Sequence, residues 1–509
     1  MAVAAGRIAA VGADDEILEL AGRRARRIHL NGRRLLPGFH DNHTHFLQGG
    51  LELAGVQLRD AASREEFIRR ITAHAAERPG EWVTGGGWNH EAWGGELPHR
   101  KWIDPHTRET PVLVLRHDQH TGLANARALE RAGIGVRTPD PPGGRIVRDA
   151  DGWPTGVLMD AALELVRRIV PPPTPAQWDT ALQAATAVAL AHGVTTVTDM
   201  GTLHGWQGLE AYRRARRADR LPLRVYAAVP IADWRRMAEW VKRQGRGKGR
   251  LRWGAVKGFV DGSLGAGTAW FHEPFADEPA NAGLPVCDLE ELREQIRAAD
   301  AVGLQAIVHA IGDRAVDWLL DAFAAAREAN GPRDRRFRME HAQHLRPVAI
   351  PRFAAEGVIA SAQPYHLVDD GRWAERRIGP ERARTTYAFR DLLDAGASLT
   401  FGSDWTVAPL DPLQGIHAAV TRRTAGGRHA AGWVPEQRIT VAEALTAYTT
   451  ANARASFLEA HTGALRSGLT ADLVALSHDI LTEPPEIIQE TRVDLTVIGG
   501  AVAYRSAGL

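Results

Sequence analysis

The sequence predicts an α/β protein: a (β/α)8 (TIM-type) barrel, a small β-sandwich domain built from both termini, and an insertion after the first barrel strand. Three observations carry this expectation. Strand-like runs alternate with helical patterns from residue 194 onward, both chain ends share a β texture, and residues 50–175 break the rhythm with Gly, Pro and Trp. Alternation at roughly 30–50 residues per unit argues parallel strands joined by helical crossovers.

The N-terminal segment reads as short β pieces, residues 7–12 and 27–30, the second running into the tight-turn dipeptide Asn31-Gly32. Residues 35–39 lead into Asp41-Asn42-His43-Thr44-His45, the first barrel strand. Runs at 194–199, 223–229, 253–261, 305–309, 336–341, 358–362 and 398–404 bring the count to eight, the number that closes a barrel. Among the helices between them, residues 288–302 show their ends most clearly. Asp288 suits the N-cap, Glu291 stands three residues on, and Gly303 stops the helix.

Within the insertion, turns fall at Gly85-Gly86-Gly87, 141–144 and 151–152, a hairpin is expected over 143–157, and Pro171-Pro172-Pro173 reads as the exit linker. The β texture returns at 463–465, 472–476, 493–498 and 501–504. The expected domains are therefore a sandwich from 1–35 and 462–509, and a barrel over 36–461 whose insertion covers its mouth.

Composition narrows the function. Lys and Arg total 62 against 61 Asp and Glu, so no strong field favours nucleic acid, an anionic membrane or a polyanion. A single cysteine, Cys287, excludes an internal disulfide framework and a cysteine-based zinc cluster, which fits a reducing, cytoplasmic compartment. No run reaches the ~18 apolar residues of a spanning helix, and the first residues lack the pattern of an export signal. The 21 histidines are the informative feature, because imidazole binds metals that cysteine cannot hold here.

His43 and His45 stand two apart at the end of the first strand, so strand periodicity points both imidazoles to one face. By the same parity His40 and Asn42 point away, and His40 reads as structural. Lys257 lies in an apolar run, His309 ends the fifth strand, His341 the sixth and Asp404 the eighth. A barrel gathers such strand ends at its C-terminal face, where these enzymes place their chemistry. Taken singly, His309 fits a hydrogen-bonded core histidine and Asp404 a helix cap. Lys257 is the odd one, because a buried ammonium is costly and burial favours the neutral amine. Such an amine can combine with carbon dioxide to give a carbamate, an anionic ligand with two oxygens. Opposite the histidine pair, Asp404 reads as a ligand and general base.

The segments PGFHDNHTH, VKGFVDGSLG, VHAIGD, RMEHAQ and FGSDW resemble the metal-dependent amidohydrolase superfamily. Within it they are similar to the family 3 branch that contains the N-substituted formamide deformylases, as are GGGWNHEAW, RHDQHTGLAN and GGRIVRDADGWPTG of the insertion. The resemblance implies two divalent metal ions, zinc being expected. His43, His45 and Asp404 would hold one, His309 and His341 the other, and a CO2-derived carbamate on Lys257 would bridge them. It implies hydrolysis of a carbon–nitrogen bond in a non-peptide amide, a metal-bridged hydroxide attacking the carbonyl while Asp404 serves as base and then acid. The alternatives are a mononuclear deaminase-type relative and a non-catalytic barrel used for binding or assembly. The chain departs from the family pattern in carrying His40 where a small apolar residue is usual, and in lacking a strand before residue 7.

The expected substrate is a small-molecule amide with an apolar substituent, and a homodimer is left open. Trp88, Trp93, Trp270, Phe271 and Trp405 fall in or beside mouth segments, and Trp88 and Trp405 are taken as substrate contacts. Arg116, Asp118 and His120 alternate along an expected strand as polar substrate contacts, with His120 a catalytic donor to the carbonyl oxygen. Asp261 follows the lysine strand as a further substrate contact that also orients the lysine.

Overall fold

The computed structural model describes the chain apart from residues 23, 117–120, 142–143, 203–204 and 428, and apart from the side chains of residues 91, 92 and 160. It divides into two compact units, Met1–Phe46 with Thr186–Leu509, and Leu47–Ala185.

The first unit is built on eight parallel strands: β1 (Phe39–Thr44), β2 (Val194–Asp199), β3 (Arg224–Pro230), β4 (Leu251–Phe259), β5 (Gln305–Ala310), β6 (Arg338–His341), β7 (Ile359–Ala362) and β8 (Ser398–Phe401). Each pairs with the next in chain order. Beyond β8 a parallel bridge joins Trp405 to Thr44 of β1, so the sheet is nearly closed into a barrel. The strands form where Val, Ile, Ala and Thr run without alternation, as expected for strands covered on both faces. The helices that cover them follow the complementary pattern. Helix Asp313–Asn330 buries Val316, Leu319, Leu320 and Phe323, one stripe at helical spacing. Helix Leu289–Ala301 begins where the Asp288 carboxylate accepts the Glu291 N–H at 2.9 Å, and Gly303, at φ +84°, turns the chain toward β5.

One expectation fails within β1. Its pairing with β2 moves from Asp41 opposite Val197 to Thr44 opposite Asp199, three residues against two, which is a β-bulge. The bulge cancels the strict alternation, so that Asn42 and His43 both reach side chains of β6. Asn42 Oδ1 accepts from Arg338 Nη1 at 2.9 Å, and His43 Nδ1 lies 2.5 Å from Glu340 Oε2. His40 is buried beside Thr198 Oγ1 at 3.4 Å.

The chain ends form a four-stranded antiparallel sheet, in which Arg34–Pro37 pairs with Leu473–Leu476, then Val493–Ile498, then Ala501–Arg505. Contrary to expectation a strand does precede residue 7: Ala2–Ala4 pairs with Arg7–Ala10 in a separate ribbon, whose Ile8 packs with Leu473, Leu495 and Val497. Residues 27–30 and 463–465, expected as strands, are not strands; of the first pair of features only the turn at Asn31-Gly32 forms, with φ of +50° and +81°.

The unit Leu47–Ala185 carries a six-stranded sheet in the order Val56–Gln57, Gly85–Trp88, Leu113–Arg116, Thr121–Ala124, Pro154–Asp160 and Gly144–Arg148. The last two strands are the expected hairpin. Helix Arg64–Glu77 buries Phe67, Ile71 and Ala75, which share a core with Trp88, Val114 and Leu123. Gly86 requires its lack of side chain, since a Cβ there would stand 2.2 Å from the Leu115 carbonyl oxygen. No helix among the described residues is long and apolar enough to cross a membrane.

Candidate metal centre

β1 and the turn after β8 are laced together at the carboxyl end of the barrel. Asp404 N–H donates to the His43 carbonyl at 2.8 Å, and His45 N–H donates to the Trp405 carbonyl at 2.7 Å. This close approach depends on Gly402, where a Cβ would stand 2.5 Å from the His43 nitrogen. Asp41 secures the same junction by accepting the Ser403 and His43 N–H groups.

The junction sets one carboxylate against two imidazoles. Asp404 Oδ1 lies 3.1 Å from His45 Nε2 and 3.5 Å from His43 Nε2. The other nitrogen of each ring is engaged elsewhere, His43 Nδ1 with Glu340 and His45 Nδ1 with Thr202 Oγ1 at 2.9 Å. Donation of Nδ1–H to these partners leaves both Nε2 lone pairs facing Asp404, the arrangement found in metal-ligating histidines. Glu340 accepts in turn from Arg338 Nε at 2.9 Å and Ser361 Oγ at 2.8 Å, all without access to solvent.

His341 and Asp404 are both left-handed, at φ +72° and +57°. Non-glycine residues adopt this conformation at a cost of about 1–3 kcal/mol, and such strain collects at functional sites. At His341 it breaks the β6 alternation, so that Glu340 and His341, adjacent in sequence, serve the same centre. The rings of His341 and His43 are 5.1 Å apart, and those of His341 and His309 are 4.4 Å apart. His309 donates Nε2–H to the Gly262 carbonyl at 3.0 Å, which leaves its Nδ1 as the bare nitrogen. Lys257 is buried with its Nζ unbonded among the described residues.

Electrostatics keep these groups ready to bind a cation. Burial lowers the His43 imidazole to about 4 and that of His309 to about 3, so both are neutral at pH 7. Burial alone would raise the Asp404 carboxyl, but the surrounding imidazoles outweigh it and hold the group well below the usual carboxylate range. Burial brings the Lys257 ammonium down to about 8, opposed by Glu340 and Asp404. Neutral imidazoles around an ionised carboxylate, with bare nitrogen at His341 Nδ1, fit a divalent cation of the zinc type. Single donor atoms of His43, His45 and Asp404 lie within 4.8 Å of one another, as do those of His341, His366 and Asp404.

The expected substrate contacts fare differently. Trp405 is half-buried beside Asp404, its ring edge-on to Phe46 at 5.9 Å. Trp88 is corrected: it has no accessible surface and donates Nε1–H to the Val114 carbonyl at 3.0 Å, a core tryptophan. Phe271 is likewise buried, packed against Phe275. Asp261 is corrected as well. Its carboxylate is buried and accepts the N–H groups of Trp270, Ile311 and Gly312, pinning the loops after β4 and β5 rather than meeting a substrate. Arg116 ends the strand Leu113–Arg116, half-buried, whereas Asp118 and His120 lie outside the described residues. Sequence reasoning missed Glu340, Arg338, Thr202 and His366. Only His366 left a usable sign, a histidine four residues beyond another expected barrel strand.

A nearly closed barrel of eight parallel strands, with imidazoles and a carboxylate gathered at one end, defines a metal-dependent hydrolase. The amidohydrolase family model matches residues 26–504, and the chain belongs to that family. It is 41% identical to Protein LONG AFTER FAR-RED 3 of Arabidopsis thaliana, over 99% of this chain and 88% of that protein. It is 28% identical to the N-substituted formamide deformylase of Arthrobacter pascens, over 99% of this chain and 95% of that enzyme. A crystal structure of an uncharacterized metal-dependent hydrolase from Pyrococcus furiosus matches with a TM-score of 0.78 and 31% identity, covering 94% of this chain and 95% of the other.

Proposed function

We propose that this chain hydrolyses a carbon–nitrogen bond of a non-peptide amide with two divalent cations, zinc being expected. In this reading His43, His45 and Asp404 would hold one cation, His309 and His341 the other, and a carboxylated Lys257 would serve both. The cations would supply Lewis-acid polarisation of the scissile carbonyl and a water that ionises near neutral pH. The observation that carries the reading is the convergence of the His43 and His45 Nε2 atoms on the Asp404 carboxylate at the strand ends.

The chain's own groups divide the remaining work. Asp404, kept anionic by its imidazole neighbours, accepts the attacking water's proton and returns it to the departing nitrogen. Lys257, whose ammonium burial brings down to about 8, would add to carbon dioxide through its free-amine fraction, forming one N–C bond and releasing one proton. Arg338 and Ser361 fix Glu340, which fixes the His43 ring. Trp405 and the partly exposed ring of Phe259 offer apolar surface beside the centre for a substituent on the amide.

The test is a screen of N-acyl and N-formyl amines, read by amine release, with zinc-reconstituted and chelator-stripped protein. Turnover is expected only after reconstitution. Asp404→Asn at saturating zinc is expected to lower kcat on the order of 10³-fold, with bound zinc, measured by elemental analysis, largely kept. A near-normal rate in that variant removes Asp404 from proton transfer.

A further inference from the structure

His366 opens the short helix His366–Asp370 that follows β7, a position to which neither the sequence motifs nor the reading above gives a role. Its Nε2 is buried, has no hydrogen-bond partner among the described residues, and lies 3.8 Å from Asp404 Oδ2. Its ring stacks on that of His341, at 18° and 6.2 Å between centroids, and His341 Nδ1 is also without a partner among the described residues. A structural histidine normally spends a ring nitrogen on a hydrogen bond. Leaving a buried polar atom unsatisfied is costly, and here two such nitrogens lie beside one carboxylate.

The placement of the helix is held by specific bonds. Asp370 at its end accepts from Gln343 Nε2 at 2.8 Å and from Tyr387 Oη at 2.6 Å, and Gln343 stands two residues beyond His341. The segments bearing His341 and His366 are thereby tied together. Asp404 meanwhile faces two ways, with Oδ1 toward His45 and His43 and Oδ2 toward His366.

We infer that His366 is a cation ligand, which joins His341 at the second of the two cation positions proposed above and brings Asp404 Oδ2 to it. The inference rests on the cation-dependent reading above and adds to it a ligand from the seventh strand's loop. Two imidazoles and a carboxylate suit zinc or cobalt.

The test uses the full-length protein, stripped with chelator and titrated with Co2+ by calorimetry and visible absorption. Wild type is expected to take up two equivalents. His366→Ala and His366→Gln are each expected to lose one, or to bind it at least tenfold more weakly, with the melting temperature of the metal-free protein unchanged. Free imidazole is expected to restore the second equivalent in His366→Ala. Unchanged stoichiometry and affinity in both variants overturn the inference and leave the hydrolase reading standing. A wild-type protein that binds no divalent cation overturns both.

Discussion

His43 reaches the centre through a chain of buried groups, Arg338 and Ser361 to Glu340 and Glu340 to the ring itself. Burial alone would raise the Glu340 carboxyl, yet Arg338 and His43 together hold it at about 2. Glu340→Gln keeps the shape and removes the charge. It leaves the Arg338 guanidinium buried without its counter-ion, and breaking such a pair costs on the order of 3 kcal/mol. The expected outcome is a lower melting temperature together with a 10–100-fold weaker affinity for zinc, measured by competition with a chromophoric chelator. At this scale the sequence is partly legible. His43, His45, His341 and Asp404 declare themselves by their chemistry, whereas Glu340 looks like any carboxylate at a strand end. Its role depends on a partner 297 residues away in the chain.

The elements were legible for a different reason. Strands covered on both faces leave unbroken apolar runs, and their helices leave stripes at helical spacing, so the order of the eight barrel strands can be read from local pattern. The local pattern fails where geometry departs from the ideal period. The bulge in β1 and the left-handed His341 and Asp404 overturn simple alternation, and no residue type in those positions announces them. The β1–β8 junction offers a test at this scale. In Gly402→Ala the new Cβ would meet the His43 nitrogen at 2.5 Å and its Cβ at 2.8 Å, rigid atoms that cannot swing aside. The expected result is a fall in melting temperature with loss of cation affinity in the same calorimetric titration. Gly135→Ala, which meets nothing within 4 Å, is the control and is expected to behave as wild type.

Across the whole molecule, buried neutral histidines make stability depend on pH. Burial lowers His40 and His344 from 6.5 to about 3, and His344 sits between Thr386 Oγ1 at 2.8 Å and the Gln343 amide. Because the folded value lies below the unfolded one, the unfolded chain takes up the proton first as pH falls. The stability from each group is therefore full above pH 6.5 and is lost progressively from there toward about pH 3. The slope is about 1.4 kcal/mol per pH unit for each histidine. Melting temperatures of metal-free protein at pH 7.5 and 5.5 are expected to show the loss, and His344→Gln is expected to diminish it. A fall of equal size in that variant assigns the acid lability to other groups.

By itself, the sequence determined the series of β/α units, the near balance of charge, and the set of side chains able to bind a cation. These follow from periodicity and residue chemistry, which act over a few neighbouring positions. Only the tertiary structure decided which donors share the Asp404 carboxylate, that Trp88 and Asp261 serve packing and loop anchoring, and that His366 joins the centre. Those outcomes turn on shifts of a few ångströms where the barrel closes, among residues far apart in the chain, and local pattern carries no record of them.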